Sequence, residues 1–288
     1  MNIGCTWNCE IRNNGTASYC MPALKELGHT VKHYQGRGPV GAHDFYLYVD
    51  DGRDDMSWNP PHPCAYWAID THLGYDYRLW KASYFDRVFV AQKEAVDQFA
   101  KDGVAAEWLP LACHPFAHPS KEELIGREWP AESLEEKWDW SFVGFLNDAK
   151  GEGSHSRVDY LDALQAAIPN GWISVNVFFE HMAQRFINAR LGFHVSIKND
   201  LAMRVFEVLS TGTALLVNRD AVGLSDLFTE GEDFFGYTGP EEMVEVAKIA
   251  LSDEALRRRI AGNGFSKVRA GHKYTDRMAT IIERMNHA

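Results

Sequence analysis

The stretch NDLAMRVFEVLSTGTALLVN, residues 199–218, decides the fold prediction because it joins a helical pattern to a strand pattern. Apolar residues surround a narrow polar stripe between Asp200 and Ser210, which predicts a helix that is buried on most of its sides. Gly212 stands where a helix ends, and the run from Ala214 to Asn218 then predicts a buried strand. A helix that leads into such a strand is the repeating unit of a parallel α/β sheet.

The same alternation of short apolar runs with helical segments extends outward from this stretch in both directions. It predicts an α/β fold with two Rossmann-like domains, each with a parallel sheet covered by helices on both faces. In the first half, the predicted strands are Asn2–Thr6, Thr30–Tyr34, Phe45–Val49, Cys64–Ile69, Arg87–Ala91 and Ala106–Leu109. In the second half, they are Ser141–Gly144, Ile173–Val177, Phe193–Ile197, Ala214–Asn218 and Phe234–Tyr237.

The domain boundary is predicted in the middle of the chain. At 288 residues the chain exceeds what one compact core usually holds, so two domains are expected. The segment LACHPFAHPSKEELIGREWPAESLEEKWDW contains three prolines and many charges but no sustained apolar periodicity. We therefore predict an N-terminal domain over residues 1–112, a linker over 113–138 and a C-terminal domain over 139–288. The last helix, Tyr274–Met285, is long enough to cross back onto the first domain.

Charge and hydropathy exclude several classes of protein. The formal net charge of −11 gives no long-range attraction to nucleic acid or to an anionic membrane. The sequence shows neither a secretory signal nor a run of about 18 apolar residues, which predicts a cytoplasmic protein without transmembrane segments. Five cysteines without C-x-x-C spacing argue against a disulfide framework and a structural zinc site. We interpret Cys113, His114 and His118 as ordinary loop residues and predict no metal site.

The first candidate site lies on the helix of the opening stretch. Asp200, Arg204, Glu207 and Thr211 share one face of the predicted helix. An intrahelical surface ion pair is one interpretation of the arginine and the glutamate. The other is nucleotide binding: the helix start after Asn199 attracts phosphate, Arg204 neutralises a diphosphate and Glu207 binds a ribose diol.

A second candidate is the loop FVGFLNDAKGEGSHSR, residues 142–157, which follows a predicted strand. Gly144 and the later glycines allow close approach of the backbone to phosphate, while Asn147, Lys150 and Arg157 supply polar and basic groups. The loop has neither dinucleotide-binding nor Walker spacing, and a solvent-exposed surface loop is the alternative interpretation.

In the first half, WAIDTHLGYDYR places Asp70 and His72 directly after a strand. A histidine near an aspartate at this edge is able to act as a base or to bind a sugar hydroxyl. A helix-capping aspartate beside a structural histidine is the simpler alternative.

The second half contains the segments RVFEVLSTGTALLVNRDAVGLSDLFTEGEDFFGY, LSDEALRRRIAGNG and HKYTDRM, and the first half contains DTH, FDRVFVAQKEAVDQFAKDGV and WLPLACHP. These segments resemble the C-terminal and N-terminal halves, respectively, of the glycosyltransferase group 1 family, specifically of its spore-maturation-type branch. The resemblance implies a GT-B fold, in which two Rossmann-like domains face each other across a cleft and the C-terminal domain holds a nucleotide-sugar.

The resemblance also implies roles for individual residues. Glu207 matches the family's ribose-binding glutamate, and Arg204 lies in its R-x-F-E segment near the donor phosphates. Gly144 matches the glycine of the first donor-domain loop, and Lys150 and Arg157 match its basic residues more loosely. The small residues after the helix are matched by Gly212 and Thr213.

One motif departs from the family. Many members carry a second glutamate eight positions before the ribose glutamate, where this chain has Asn199 with Asp200 beside it. This departure puts in question how the donor sugar's hydroxyls are held.

The sequence thus predicts a metal-independent, retaining glycosyltransferase. It would move a sugar from a UDP- or GDP-linked donor, with no separate cofactor, to a hydroxyl-bearing acceptor that the sequence leaves open. The candidate catalytic residues are His72, Asp70 and Arg204. The alternatives are a GT-B-type sugar-nucleotide epimerase or hydrolase and a non-catalytic sugar-nucleotide-binding protein. Glucosylation of DNA bases is disfavoured by the net charge, although it requires only a local basic strip.

Overall fold

A computed structural model describes residues 1–7, 15–35, 38–50, 52, 56, 58–146 and 156–286. The chain forms two compact units. The first unit comprises Met1–Leu111 together with Tyr274–Ala288, and the second comprises Ala112–Lys273.

The first unit contains a six-stranded sheet in which all neighbouring strands are parallel, in the order β2-β1-β3-β4-β5-β6. Its strands are β1 (Asn2–Trp7), β2 (Thr30–Gln35), β3 (Phe45–Val49), β4 (Cys64–Ala68), β5 (Arg87–Val90) and β6 (Glu107–Trp108). Its helices are α1 (Ala17–Glu26), α2 (Tyr75–Ala82), α3 (Glu94–Lys101) and α11 (Tyr274–Asn286). Every residue of β3 and β4 is buried, as expected for a parallel sheet covered on both faces.

The last helix, α11, completes the core of the first unit. The Tyr274 ring stacks on Tyr19 of α1, with 5.0 Å between the ring centroids. The Arg277 guanidinium is buried and donates hydrogen bonds to the carbonyl oxygens of Pro110 and Leu111. Residues from the two ends of the sequence are therefore packed into one unit.

The second unit contains a five-stranded parallel sheet in the order β11-β10-β9-β7-β8. Its strands are β7 (Trp138–Val143), β8 (Gly171–Ser174), β9 (Ala189–His194), β10 (Ala214–Asn218) and β11 (Phe235–Tyr237). Its helices are α4 (Lys121–Gly126), α5 (Arg157–Ala167), α6 (Phe179–Ile187), α7 (Met203–Ser210), α8 (Leu224–Leu227), α9 (Pro240–Ser252) and α10 (Glu254–Gly271). Two units with parallel sheets confirm the predicted α/β fold class.

Residues 113–138, for which the sequence predicted a linker, are packed into the second unit. Helix α4 begins with a capping box between Ser120 and Glu123. Leu124 and Leu134 are fully buried against Ala183 of α6. This segment, despite its prolines and charges, therefore contains a short helix that packs on the second unit through Leu124.

The structure also corrects two element boundaries in this unit. Strand β9 begins at Ala189, four residues before the predicted strand. Helix α7 begins at Met203 rather than Asp200, because Ala202 has an extended backbone (φ −70°, ψ 153°) that a helix does not accommodate.

Helix α7 packs closely on the sheet through Gly192 of β9. A Cβ atom at this glycine would lie 2.5 Å from Cγ1 of Val208, a distance that requires one of the two elements to move. Gly192 thus fixes the height of α7 above the sheet. Among the described residues, no helix is long and apolar enough to cross a membrane.

Candidate functional site

The candidate site of the second unit lies at the carboxyl ends of its central strands. Because the strands are parallel, the residues after β7 and β9 and the start of α7 lie at the same sheet edge. This edge is where open α/β sheets bind ligands. Helix α7 carries two of the predicted residues, Arg204 in its first turn and Glu207 in its second.

Arg204 and Glu207 form an ion pair that is largely removed from solvent. The Nη1 atom of Arg204 lies 2.6 Å from Oε2 of Glu207, and it also contacts Sδ of Met182. The side chains are 19% and 2% exposed, respectively, so the glutamate is buried and the arginine reaches the surface. The exposed ion pair that was the simpler interpretation of the sequence is therefore wrong for Glu207.

His118 is the second partner of Glu207. Its Nε2 atom lies 3.1 Å from Oε1 of Glu207, and the histidine side chain is completely buried. The backbone N–H of His114 donates to Nδ1 of His118 at 3.1 Å, so we assign the proton of a neutral ring to Nε2, facing the carboxylate. The Ser210 hydroxyl donates to the His118 carbonyl oxygen at 2.7 Å and ties this segment to α7.

We call Arg204, Glu207 and His118 the buried carboxylate cluster. Burial alone would raise the pKa of Glu207, but the charge of Arg204 and the contact with His118 outweigh it and lower the pKa. Glu207 is therefore an ionised carboxylate at neutral pH.

The carboxylate retains capacity to accept hydrogen bonds. Although Oε2 of Glu207 lies close to Arg204, this contact lacks hydrogen-bond geometry, and Oε2 has no hydrogen-bond donor among the described residues. A carboxylate accepts about four hydrogen bonds when they are available. Glu207 is thus suited to receive hydroxyl groups of a ligand.

His194, at the end of β9, lies beside the cluster. Its side chain is 3% exposed, and Nε2 has no hydrogen-bond partner within the part of the chain that is described. Burial and the nearby charges of Arg157 and Arg204 hold the pKa of His194 well below its usual value, so its ring is neutral. A buried polar atom without a partner is rare, and here it accompanies two cationic side chains at a ligand-binding edge.

Arg157, a predicted basic residue, is buried at the first position of α5. Its Nη1 atom donates to the carbonyl oxygen of Phe145 at 3.0 Å, and its Nε atom donates to that of Val195 at 3.4 Å. It thus holds the segments after β7 and β9 together. The two other polar residues predicted for this loop, Asn147 and Lys150, lie outside the described residues.

Gly144, Asn199 and Asp200 also lie at this edge. The Gly144 N–H donates to the carbonyl oxygen of Ser174 at 3.1 Å, and a Cβ atom at Gly144 would lie 2.9 Å from the Phe142 ring. Asn199 accepts a hydrogen bond from the Val222 N–H at 2.8 Å through its carbonyl oxygen. Asp200 is buried in the turn before α7 and not on the helix, so it does not share the helical face of Arg204.

The structure does not bring Gly212 and Thr213 to this site. They follow the carboxyl end of α7 and precede β10, so they lie at the opposite edge of the sheet from Arg204. There they line a cavity of about 220 Å³ together with Arg190 and Arg257. Gly212 has a φ of 79°, which accounts for a glycine at the end of the helix without any ligand.

In the first unit, Asp70 and His72 follow β4 as predicted. Asp70 has a left-handed backbone conformation with φ of 56°, and His72 lies in a single 3₁₀ turn, Thr71–Leu73. The Thr71 N–H and hydroxyl both donate to Oε1 of Gln92 at 3.0 Å, which fixes this turn to the end of β5. Asp70 forms no side-chain cap on the turn, contrary to the simpler interpretation of this motif.

Sequence reasoning missed His118 and His194. His118 was interpreted as a loop residue because its partner Glu207 lies far away along the chain. His194 falls within an apolar run whose strand was predicted to continue past it. A histidine at the carboxyl end of a buried strand indicates a candidate site residue, because its ring needs a polar partner or a ligand at that edge of the sheet.

The comparisons with known proteins agree with this architecture. Residues 155–283 match the model of a family described as glycosyl transferase-like. No protein among the curated ones matches the sequence.

Solved structures match the whole chain in fold. HepE from Anabaena, in complex with UDP and glucose, has a TM-score of 0.69 at 12% identity, covering 100% of both chains. Sucrose-phosphate synthase from Thermosynechococcus elongatus has a TM-score of 0.66 at 11% identity, covering 100% of this chain and 98% of its own. The T4 phage enzyme BGT, in complex with its UDP-glucose substrate, has a TM-score of 0.60 at 9% identity, covering 99% of both chains. The protein therefore has the GT-B fold, and its residues 155–283 are similar to the glycosyl transferase-like family.

Proposed function

We propose that this protein is a glycosyltransferase that moves a sugar from a UDP-linked donor to a hydroxyl-bearing acceptor. We further propose that it retains the anomeric configuration, needs no metal ion and belongs to the spore-maturation-type branch of group 1. The observation that carries the proposal is the buried carboxylate cluster at the carboxyl edge of the second sheet. It places an ionised, incompletely hydrogen-bonded carboxylate beside an arginine at a helix start.

Glu207 is the proposed ribose contact. Its carboxylate is already desolvated, so a diol that donates two hydrogen bonds does not have to displace water from it. Arg204 and His118 fix its orientation from two sides. Such preorganisation raises affinity by reducing the ordering that binding requires.

Arg204 is the proposed diphosphate contact. Its Nη1 atom lies beside Glu207, and an arginine carries five N–H donors in a fixed fork. It lies in the first turn of α7, where Ala202 provides no side-chain cap and the helix dipole favours negative charge. These groups would stabilise the departing nucleoside diphosphate as its charge develops. The neutral imidazole of His194 would donate or accept one hydrogen bond there.

The fold neighbours support a UDP-linked donor. HepE is recorded with UDP and glucose, and T4 phage BGT with UDP-glucose. T4 phage BGT is also recorded with UDP and Mn²⁺, so metal independence needs its own test. For the acceptor side we propose Asp70 and His72, because a histidine and a carboxylate at a sheet edge suit contact with a hydroxyl group.

The test is a donor panel followed by a turnover assay. UDP-, GDP-, ADP- and dTDP-sugars are compared by thermal shift, since a ligand at a hundred times its Kd adds about 2.7 kcal/mol of stability. Donor consumption is then measured with and without a mixture of simple sugars and alcohols as acceptors, in chelator and in Mn²⁺. We expect a UDP-sugar to bind and to be consumed only with acceptor, and equally well in chelator.

Each other outcome selects another function. Product from donor alone would indicate a hydrolase or an epimerase, and binding without turnover would indicate a non-catalytic protein. If none of the four donors raised the melting temperature, the proposed donor site would be wrong. The anomeric configuration of the product, read by NMR, separates retention from inversion.

A further inference from the structure

A second group of chemically reactive side chains lies in the first unit, at the amino ends of its strands. His62 precedes β4, Cys64 is the first residue of β4, and Asp86 directly precedes β5. One ligand atom from each of them lies within 4.8 Å of the other two. Asp70 and His72 follow the carboxyl end of β4, so the group lies about 16 Å away from them, at the opposite edge of the same sheet.

The spacing of two of these atoms fits tetrahedral zinc. Sγ of Cys64 lies 3.5 Å from Nδ1 of His62. With Zn–S of about 2.3 Å and Zn–N of about 2.0 Å, ligand atoms of a tetrahedral site are separated by about 3.5 Å. The imidazole and the thiol are therefore already at the separation that a shared zinc ion requires.

The carboxylate is held next to the thiol by the backbone. Oδ2 of Asp86 accepts the Cys64 N–H at 2.7 Å, which leaves Oδ1 for another partner. The two Asp86 oxygens lie 2.8 and 2.9 Å from Nδ1 of His62, closer than two ligands of one zinc ion. The His62 side chain is 63% exposed and that of Asp86 is 38% exposed, so a shift of about half an ångström meets little resistance.

Charge and solvent access also suit a divalent cation. On binding, the Cys64 thiol loses its proton, and the thiolate and the Asp86 carboxylate together neutralise a 2+ ion. An imidazole, a thiolate and a carboxylate are a ligand set that zinc accepts. An open depression lined by Asn59, His62 and Ser83 adjoins the group and gives room for a water molecule as fourth ligand.

We propose that His62 Nδ1, Cys64 Sγ and Asp86 Oδ1 bind one Zn²⁺ ion, with water completing a tetrahedron. The ion cross-links the residues that start β4 and β5 and thereby stabilises the first unit. It is separate from the proposed donor site, and its binding does not require glycosyl transfer.

The test is a metal titration of the full-length protein after treatment with a chelator. Co²⁺ replaces Zn²⁺ in such sites and shows a thiolate-to-cobalt charge-transfer band. We expect this band to appear at one equivalent, to be displaced by Zn²⁺, and to be absent from Cys64→Ala. We also expect His62→Ala to weaken Zn²⁺ binding at least tenfold and to abolish the rise in melting temperature that Zn²⁺ causes.

The control is His29→Ala, which removes another imidazole of the first unit whose Nδ1 lies 3.2 Å from the N-terminal amine. It should bind Zn²⁺ as the unaltered protein does. Because His62 is exposed, its replacement leaves the core intact, and circular dichroism checks the folding of both variants. The proposal is overturned if no charge-transfer band forms, or if the band persists in Cys64→Ala. It is equally overturned if His62→Ala binds Zn²⁺ with unchanged affinity.

Discussion

Two arginine-centred clusters of the second unit use the same residue types in opposite environments. In the buried carboxylate cluster, Arg204 contacts a glutamate that is 2% exposed. In the other, Arg219 lies 2.8 Å from both Glu230 and Glu242, and the three side chains are 34%, 41% and 43% exposed. The pKa of Glu242 is lowered to about 2, first by its hydrogen bonds from Arg219, and the pKa of Arg219 is raised.

The two clusters differ in how much hydrogen-bonding capacity they leave for a ligand. Arg219 donates to both glutamates, to the Thr238 hydroxyl and to the Gly236 carbonyl oxygen, so its hydrogen bonds are made within the protein. Glu207 is desolvated but incompletely hydrogen-bonded. The exposed cluster is thus a surface network of small energetic weight, whereas the buried one has the character of a binding site.

The largest expected effect comes from Glu207→Gln, which keeps the shape and removes the charge. UDP affinity should fall at least tenfold, or about 1.4 kcal/mol, because a neutral amide offers the ribose one acceptor oxygen instead of two. Stability should fall by about 2 kcal/mol, since Arg204 loses its charged partner but keeps its own charge. Calorimetry with UDP and urea unfolding measure the two effects.

His118→Gln sharpens this test, because it disturbs the orientation of Glu207 without removing its charge. Its loss of UDP affinity should be smaller than that of Glu207→Gln. An unchanged UDP affinity in a folded Glu207→Gln protein would contradict the ribose assignment.

The next largest effect is a dependence of folding stability on pH that originates from His194. Its pKa is lowered in the folded protein, so the unfolded chain binds an extra proton below about pH 6.5. The contribution of His194 to stability is therefore complete above pH 6.5 and declines as the pH falls, by at most about 1.4 kcal/mol per pH unit. Urea unfolding from pH 7 to pH 5 measures it.

His194→Gln should flatten this profile. His114, whose pKa is lowered to about 4, first by burial, contributes with the same sign in both proteins, so the difference between the profiles isolates His194. Parallel profiles for the two proteins would show that the His194 ring is not held neutral by its surroundings.

The smallest effect is expected for Glu242→Gln, the matched control in the exposed cluster. Arg219 retains Glu230, and none of the contacts of Arg219 and Glu242 described above involves Arg204, Glu207 or His118. UDP affinity should stay unchanged, and the fall in stability should be smaller than that of Glu207→Gln. A comparable loss of UDP affinity would show that the contrast between buried and exposed clusters does not identify the donor site.

The parallel α/β architecture and the position of the polar stripe were predictable because both depend on local periodicity. Arg204 and Glu207 are three residues apart, so any helix through them places them on one side. The start of α7 was not predictable, since the extended conformation of Ala202 depends on contacts made by the folded turn. Gly212 and Thr213 were wrongly placed because residues adjacent to a helix end lie at the opposite sheet edge from the helix start.

Contacts between residues that are far apart in the sequence were also not predictable. Ser210 binds the carbonyl oxygen of His118, 92 positions away, and no periodicity links such segments. Arg157 was predicted as a site residue from its position in the loop after a strand and from a loose match to the family's basic residues. Its hydrogen bonds to the carbonyl oxygens of Phe145 and Val195 were not predictable, because only the folded chain brings these groups together. Local sequence patterns therefore identify helices and strands, whereas the hydrogen-bond partners of a side chain depend on the tertiary fold.

Helix α11 has a consequence for how the molecule is made. The core of the first unit includes Tyr274 and the Arg277 contacts to Pro110 and Leu111, so this unit lacks an essential part until the ribosome has translated the entire second unit. The second unit, Ala112–Lys273, is continuous and is able to mature first. During synthesis the strands of the first unit therefore remain incompletely covered until α11, which follows the second unit in the sequence, has been made.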